Sequence, residues 1–176
     1  MHKKAFTIME LLIVVLIIGI VYTVAITNFQ KINDTSVNVN LENLKSFLNS
    51  IEHKNEAKLL CLENCQECFV LVDGEYEEKY NEAVENIVDE SVEVYRYELL
   101  GGVFEKPSEV YINSEDVEED VCFSYSVDYR GAGDQVLVKF KEKVYDYSYY
   151  LNGVKAYDSL QEAQDAKEEL FERVMR

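Results

Sequence analysis

The chain is short of basic residues: 17 Lys and Arg stand against 34 Asp and Glu in 176 residues, a net charge of −17. Contacts to nucleic acid or anionic lipid need clustered Lys and Arg, and no basic patch interrupts the acid. Histidine is nearly absent. His2 and His53 lie far apart in sequence, so a histidine-based metal or catalytic site has no support. A Gly-rich phosphate loop and a His/Glu metal motif are also missing, and no cofactor is expected. Glycine and proline are missing where they would interrupt a helix: neither occurs between residues 20 and 60.

What is present is unevenly spread. "KKAFTIMELLIVVLIIGIVYTVAI" covers residues 3–26, and from 6 to 27 the only charge is Glu10. At a helical rise of about 1.5 Å these 22 positions reach about 33 Å, enough to cross a bilayer. Lys3 and Lys4 precede the run, so the N-terminus is expected to stay cytoplasmic and the rest to cross outward. The run is too long for a signal-peptide core, and only Ala25 offers a small residue for cleavage after it. An apolar period then continues through Val37, Leu41, Leu44, Leu48 and Ile51 with polar residues between. That spacing predicts an amphipathic helix. One helix is therefore expected from Phe6 to about Leu60, with "NDTS" (33–36) as its weak point.

Beyond it the period changes. "CFVLVDGEY" (68–76) reads as a buried strand ending in a turn, and "EYEEKYNEAVENIV" (75–88) as a surface helix. "SVEVYRYELL" (91–100) and "VCFSYSVDY" (121–129) alternate as strands, the second with Val121, Phe123, Tyr125 and Val127 on one face. "RGAGD" (130–134) and "LNGV" (151–154) are turns. "DSLQEAQDAKEELFERVMR" carries Ser159 and Glu162 at capping-box spacing, with Leu160, Ala163, Leu170 and Val174 on one face. The expected fold class is α+β: a long N-terminal helix, transmembrane and then amphipathic, packed on an antiparallel sheet with a C-terminal helix. Thirteen Tyr and eight Phe suit the sheet.

Cys61, Cys65, Cys68 and Cys122 make an even set. Outside the cytoplasm they fit two disulfides in any of three pairings. Cys68 or Cys65 is favoured as the partner of Cys122, which would clip its strand to the helix end. Zinc binding is the alternative, but three and then two intervening residues is a loose spacing for a zinc site. The acid-rich "NSEDVEED" (113–120) offers Asp116, Glu118 and Asp120 as weak calcium candidates, although a run of acids is usually a solvated loop. No nucleophile–base pair is evident, so no enzyme is expected.

"KKAFTIMELLIVVLIIGI" resembles the class III signal of type IV prepilins and pseudopilins. In that pattern a short basic leader ends in Gly or Ala, then come Phe-Thr, a Glu at the fifth mature position, and an apolar run. Here the leader is residues 1–5 with Lys3 and Lys4, and the cut falls between Ala5 and Phe6. Thr7 and Glu10 match the second and fifth mature positions. Ala5 stands where Gly is usual, and Thr27 where many such subunits have a proline. The resemblance implies cleavage by a prepilin peptidase and N-methylation of Phe6. It implies a wait in the bacterial inner membrane as a single-pass protein, among lipid, with the C-terminal domain in the periplasm. Inner-membrane assembly machinery would then build it, with other pilin or pseudopilin subunits, into a periplasmic or cell-surface filament.

The domains expected on this basis are the leader 1–5, a transmembrane and filament-core helix 6–28, its amphipathic continuation 29–60, and a globular α+β domain 61–176. The implied function is that of a structural subunit: pilin, minor pilin or type II secretion pseudopilin. The alternative is a single-pass, signal-anchored periplasmic binding domain that never polymerises. Direct nucleic-acid binding is not expected. Glu10 gains a physical purpose here. Cleavage leaves an α-amine on Phe6, one turn away, and a neighbour's Glu10 can meet it. Apolar faces slide past one another, and one buried ion pair fixes their register.

Overall fold

A computed structural model describes residues 9, 11–19, 38–99, 101–113, 115–149 and 153–175. The chain separates into two compact units, Met1–Val37 and Asn38–Arg176.

In the first unit residues 11–19 form helix α1, and the apolar side chains from Leu11 to Ile18 are all exposed. No helix among the described residues is long and apolar enough to cross a membrane. This corrects the expected transmembrane helix and single-pass inner-membrane placement, and with them the prepilin-type membrane-anchored layout. Lys3, Lys4, Ala5, Phe6 and Glu10 lie outside the described residues.

In the second unit the expected long helix is replaced by a turn, a short helix and a strand. Asn40 Oδ1 accepts the N–H groups of Glu42 and Asn43, each at 3.0 Å, and Asn43 Oδ1 accepts that of Asn40 at 2.8 Å. These side chains compete with the helix for backbone donors, so helix α2 spans only Leu44–Ser50. It ends where Ser50 Oγ donates to the Phe47 carbonyl (2.6 Å) and Ile51 turns extended, at φ −78° and ψ 128°. Asp73 then collects the N–H groups of Lys54, Asn55 and Glu56 at 3.0, 2.6 and 3.1 Å. That carboxylate fixes the chain as it enters strand β1, Glu56–Leu62. The expected stripe is nonetheless core: Leu41, Leu44, Leu48 and Ile51 are buried. Periodicity identified the right side chains and extended the helix too far.

The fold is therefore mostly β, not a long helix on a sheet. Sheet A contains β1, β2 (Glu67–Val72), β3 (Glu75–Tyr76), β6 (Glu109–Ile112) and β7 (Glu118–Asp128), in the order β3-β2-β1-β7-β6. Sheet B contains β4 (Glu93–Glu98), β5 (Gly102–Glu105), β8 (Leu137–Phe140), β9 (Lys143–Asp146) and β10 (Lys155–Tyr157), in the order β10-β9-β8-β4-β5. Every pairing in both is antiparallel. The expected surface helix over 75–88 shrinks to a 3-10 turn at Glu78–Tyr80 and helix α3, Asn81–Val84. β2 and β3 meet at Asp73–Gly74, both with positive φ (54° and 87°), as the tightest hairpin turns require.

One core joins both sheets. α2 brings Leu44 and Leu48, sheet A brings Ala57, Leu59, Val70, Phe123, Tyr125 and Val127, and sheet B brings Val138 with Val94 and Tyr145. β1 is buried on both faces, because Leu60 and Leu62 join Phe69, Leu71 and Val121 in a second cluster on the far side. This is why "AKLLCL" falls inside the expected helix: a central strand apolar on both faces has no period of two to betray it. Val121 also departs from expectation. The register slips between Cys61, opposite Phe123, and Leu62, opposite Val121. Cys122 is the extra residue of this β-bulge, and a slip of one turns every side chain before it to the opposite face.

Helix α4, Leu160–Met175, covers the outer face of sheet B. Its start follows the sequence reading: Ser159 Oγ accepts the Glu162 N–H at 3.1 Å, and Glu162 Oε2 reaches back to the Asp158 N–H at 2.9 Å. Ala163 is fully buried against Leu137 and Val144, with Leu160 beside it. Leu170 and Val174, expected on the same packed face, are exposed.

Candidate functional sites

The four cysteines come together as two disulfides, Cys61–Cys68 and Cys65–Cys122, leaving none free. Cys61 and Cys68 are directly opposed on β1 and β2 with Cα atoms 4.1 Å apart. Cys65 sits in the hairpin turn between those strands and reaches the bulged Cys122, Cα to Cα 5.4 Å. Cys122 thus clips β7 to a hairpin turn, not to a helix end, because the helix stops ten residues earlier. The turn itself is unusual: Glu63, Asn64 and Cys65 all have left-handed φ (46°, 57° and 63°). Each such non-glycine residue costs roughly 1–2 kcal/mol, and the two bridges on either side hold the conformation. Four sulfurs spent in disulfides leave no thiolate set for zinc.

Asp116, Glu118 and Asp120 fall in the turn and first residues of the β6–β7 hairpin. Among the described residues no three His, Cys, Asp or Glu side chains are grouped so as to hold a metal. Glu118 and Asp120 are partnered across the strands by Ile112 and Val110, so the hairpin spaces its acids along a sheet instead of folding them around a centre.

A polar cluster that the sequence did not announce lies under α4. Asp146 is completely buried, and Lys167 Nζ meets its Oδ2 at 2.6 Å. Its Oδ1 accepts the Ser148 N–H at 2.9 Å. The Lys167 ammonium also donates to Ser148 Oγ and sits 4.7 Å from the centre of the Tyr149 ring. A second buried lysine, Lys45 of α2, donates to the Tyr149 carbonyl at 2.5 Å. Burial pushes the Lys45 ammonium below its ordinary range, and the Asp146 charge opposes that shift. Beside the pair is a cavity of about 190 Å³ lined by Tyr97, Gln135, Leu137 and Ser148 among others. The Ser148–Lys167 contact has the composition of a serine–lysine nucleophile pair. Its chemistry is wrong for one: an ammonium committed to a carboxylate has no lone pair to accept the serine proton. The arrangement joins α4, β9 and the end of sheet B. No sequence signal could have found it, because Asp146, Ser148 and Lys167 belong to different elements and to no motif.

A second cluster ties β6 to β1 and β7. Glu109 pairs with Lys106, lies 3.7 Å from Lys58 Nζ and accepts Ser124 Oγ at 2.8 Å. Burial raises the Glu109 carboxyl, but Lys106, Ser124 and Lys58 together outweigh it and hold the group below its ordinary value. The cavity beside it measures about 150 Å³. In both clusters the charged groups are spent on one another.

No family model, curated protein or solved structure matches the chain.

Proposed function

We propose that the chain is a structural, non-catalytic subunit of a type IV filament-like assembly, incorporated through its N-terminal segment. The observation that carries the reading is the pattern at residues 3–19: Lys3 and Lys4, then Ala5-Phe6-Thr7, then Glu10 as the lone charge before an apolar run. The bare apolar side chains of α1 support it, since an exposed apolar surface of that extent marks a contact site, and the equivalent segments of neighbouring subunits are of the right character to cover it. The two disulfides support folding in an oxidising compartment. The partners under this reading are the peptidase that cuts between Ala5 and Phe6, an assembly machine, and other subunits of the same kind. Glu10 acts as the register mark against a neighbour's Phe6 amine.

Intact-mass measurement on protein from producing cells tests the reading. The expected mass lacks residues 1–5, with or without one added methyl group on Phe6. A mass that retains Met1–Ala5 refutes it.

A further inference from the structure

His53 stands between the end of α2 and the start of β1, beside the end of β7, and is half-buried. Its Nδ1 lies 2.7 Å from the Ile51 carbonyl oxygen, and its Nε2 lies 3.2 Å from the Asp128 carbonyl oxygen. A carbonyl oxygen only accepts. A neutral imidazole has one N–H and one lone pair, so it can serve one of these oxygens and must turn its lone pair on the other. The imidazolium, with a proton on each nitrogen, serves both.

The charges around the ring favour that form. From the β2–β3 turn comes the Asp73 carboxylate, and attraction between it and a positive His53 is one of the forces that hold Asp73 below its ordinary 3.8. At the end of β7 the Asp128 carboxylate is already paired with the Arg130 guanidinium at 2.8 Å. The last turn of α2 brings no basic side chain. Along the chain, Glu52, Lys54 and Glu56 flank the ring, two acids to one base. The other bonds of this corner do not titrate near neutrality. Asp73 accepts the N–H groups of Lys54, Asn55 and Glu56, and the Tyr129 N–H donates to the Asn55 carbonyl at 2.9 Å. Histidine is the side chain whose ordinary titration falls between about pH 5 and 8.

We propose that His53 is a pH-sensitive latch: doubly protonated, it ties the end of α2 to the end of β7, and on losing one proton it releases β7. The Asp128 contact is the one that opens, because it is the longer of the two. The second proton is held by bonds that exist only in the folded chain. The contribution of the latch is therefore complete below the ordinary imidazole value of about 6.5 and is lost as pH rises. This does not rest on the filament reading, which concerns the first unit.

Two measurements on the full chain test it. The first follows the ring nitrogens of His53 by 15N NMR, assigned through the bonded backbone of the unaltered protein. More than half of the rings are expected to keep both protons at about pH 7, where a free imidazole has mostly lost one. The neutral form is expected to keep its proton on Nδ1 and leave Nε2 bare. The second follows hydrogen exchange of the Tyr129 amide, the other end of the Asp128 peptide unit. Its protection factor is expected to fall about tenfold between about pH 6 and 8, the scale of one hydrogen bond from a charged donor. In His53→Phe that protection should be low and independent of pH. A ring with a single proton at about pH 6, a neutral form protonated on Nε2, a protection factor unchanged over that range, or a fall that persists in His53→Phe overturns the proposal. The ring measurement decides the matter even if His53→Phe perturbs folding.

Discussion

Sheet A and sheet B have five antiparallel strands each, yet they are closed by different means. Sheet A is stapled. Cys61–Cys68 crosses its first hairpin, Cys65–Cys122 joins that hairpin's turn to β7, and a cluster around Leu60 and Phe69 fills its outer face. Sheet B has no sulfur. Its outer face is roofed by α4, and the roof is pinned by one buried ion pair, Asp146–Lys167. A covalent staple acts largely on the unfolded chain by limiting its freedom. A buried pair acts on the folded chain, where its two halves protect each other from the cost of burial. The sheets should therefore fail under different insults.

The largest effect is expected at the pin. Asp146→Ala leaves Lys167 and Lys45 buried without their acid, and breaking a buried pair in this way costs about 3–5 kcal/mol. The measurement is the urea midpoint of the full chain. Combining it with Lys167→Met should recover most of the loss, because the orphaned charge is removed along with its partner. A loss below about 1 kcal/mol, the worth of an exposed pair, would mean that water reaches Asp146.

The staples come next, and they are unequal. The chain-entropy relation gives about 4 kcal/mol for the 57-residue separation of Cys65–Cys122 and about 2.5 for the 7-residue separation of Cys61–Cys68. Paired Cys→Ser variants should rank in that order by thermal unfolding, and the reverse order contradicts the entropic account. Before any variant is made, denatured, non-reduced protein should show no reactive thiol; four would remove the staples altogether.

These two sheets also show what a sequence can and cannot disclose. The Asp73–Gly74 turn, the Ser159 cap and the alternation of Phe123, Tyr125 and Val127 were legible because each is a local rule with a local cause. The end of α2 was not. Its breakers are Asn40, Asn43 and Ser50, which suit a helix interior or a turn equally on paper, together with Asp73, which acts from about twenty residues away. β1 is hidden for a different reason: a strand buried on both faces resembles any apolar run, helical ones included. The disulfide partners of Cys122 were narrowed to two, and the bulge that selects Cys65 has no signature in one sequence. Of the candidate sites, the residues proposed for assembly were legible as a motif, whereas the Asp146 cluster exists only after β9 and α4 have met.

A smaller effect is expected where sheet A closes on the β7–β8 connection. Gly133 pairs with Val127 as an isolated bridge, and a Cβ built there would clash with Tyr125 Oη. Gly133→Ala must push the ring of a fully buried tyrosine, which costs about 1–3 kcal/mol as overpacking. Tyr125 Oη has no hydrogen-bond partner among the described residues, so Tyr125→Phe removes the nearest obstructing atom without breaking a bond, although the ring Cζ, 2.7 Å from the added Cβ, stays. In a double-mutant cycle, Tyr125→Phe should restore only the part of the stability lost to Gly133→Ala that comes from the hydroxyl, because the ring still has to move. Additive losses would place the strain elsewhere.

The smallest effect is the response to acid, and it sharpens the comparison at its edges. In sheet A the backbone N–H groups of Lys54 and Asn55 hold the Asp73 carboxyl below its ordinary 3.8, with Glu56 adding to them, and Glu109 is held below its ordinary 4.5. In sheet B, Lys139 and Tyr95 hold Glu93 below 4.5 by hydrogen bonds, while the same bond from Tyr95 to Glu93 pushes the phenol up to about 12. A carboxyl whose folded pKa is depressed binds protons less readily than it does in the unfolded chain. Its contribution to stability is complete above the unfolded value and is lost as pH falls through the folded one. The contribution of these carboxyls should thus be flat above about pH 5 and decline as pH drops below the ordinary carboxyl values of 4.5 for Glu109 and Glu93 and 3.8 for Asp73. Asp73 is exposed and Glu93 and Glu109 are half-buried, so solvent screening keeps each contribution small. The site-specific readout is therefore more decisive than the melting curve. The amide resonances of Lys54, Asn55 and Glu56 should move together as Asp73 protonates, with a midpoint below 3.8. In Asp73→Asn that shared transition should vanish and the α2–β1 junction should exchange its amide hydrogens faster, while the amides around Asp146 under α4 keep their protection. A midpoint at or above 3.8 would mean that Asp73 does not hold the start of β1. Equal loosening under α4 would mean that the two sheets are not separately closed.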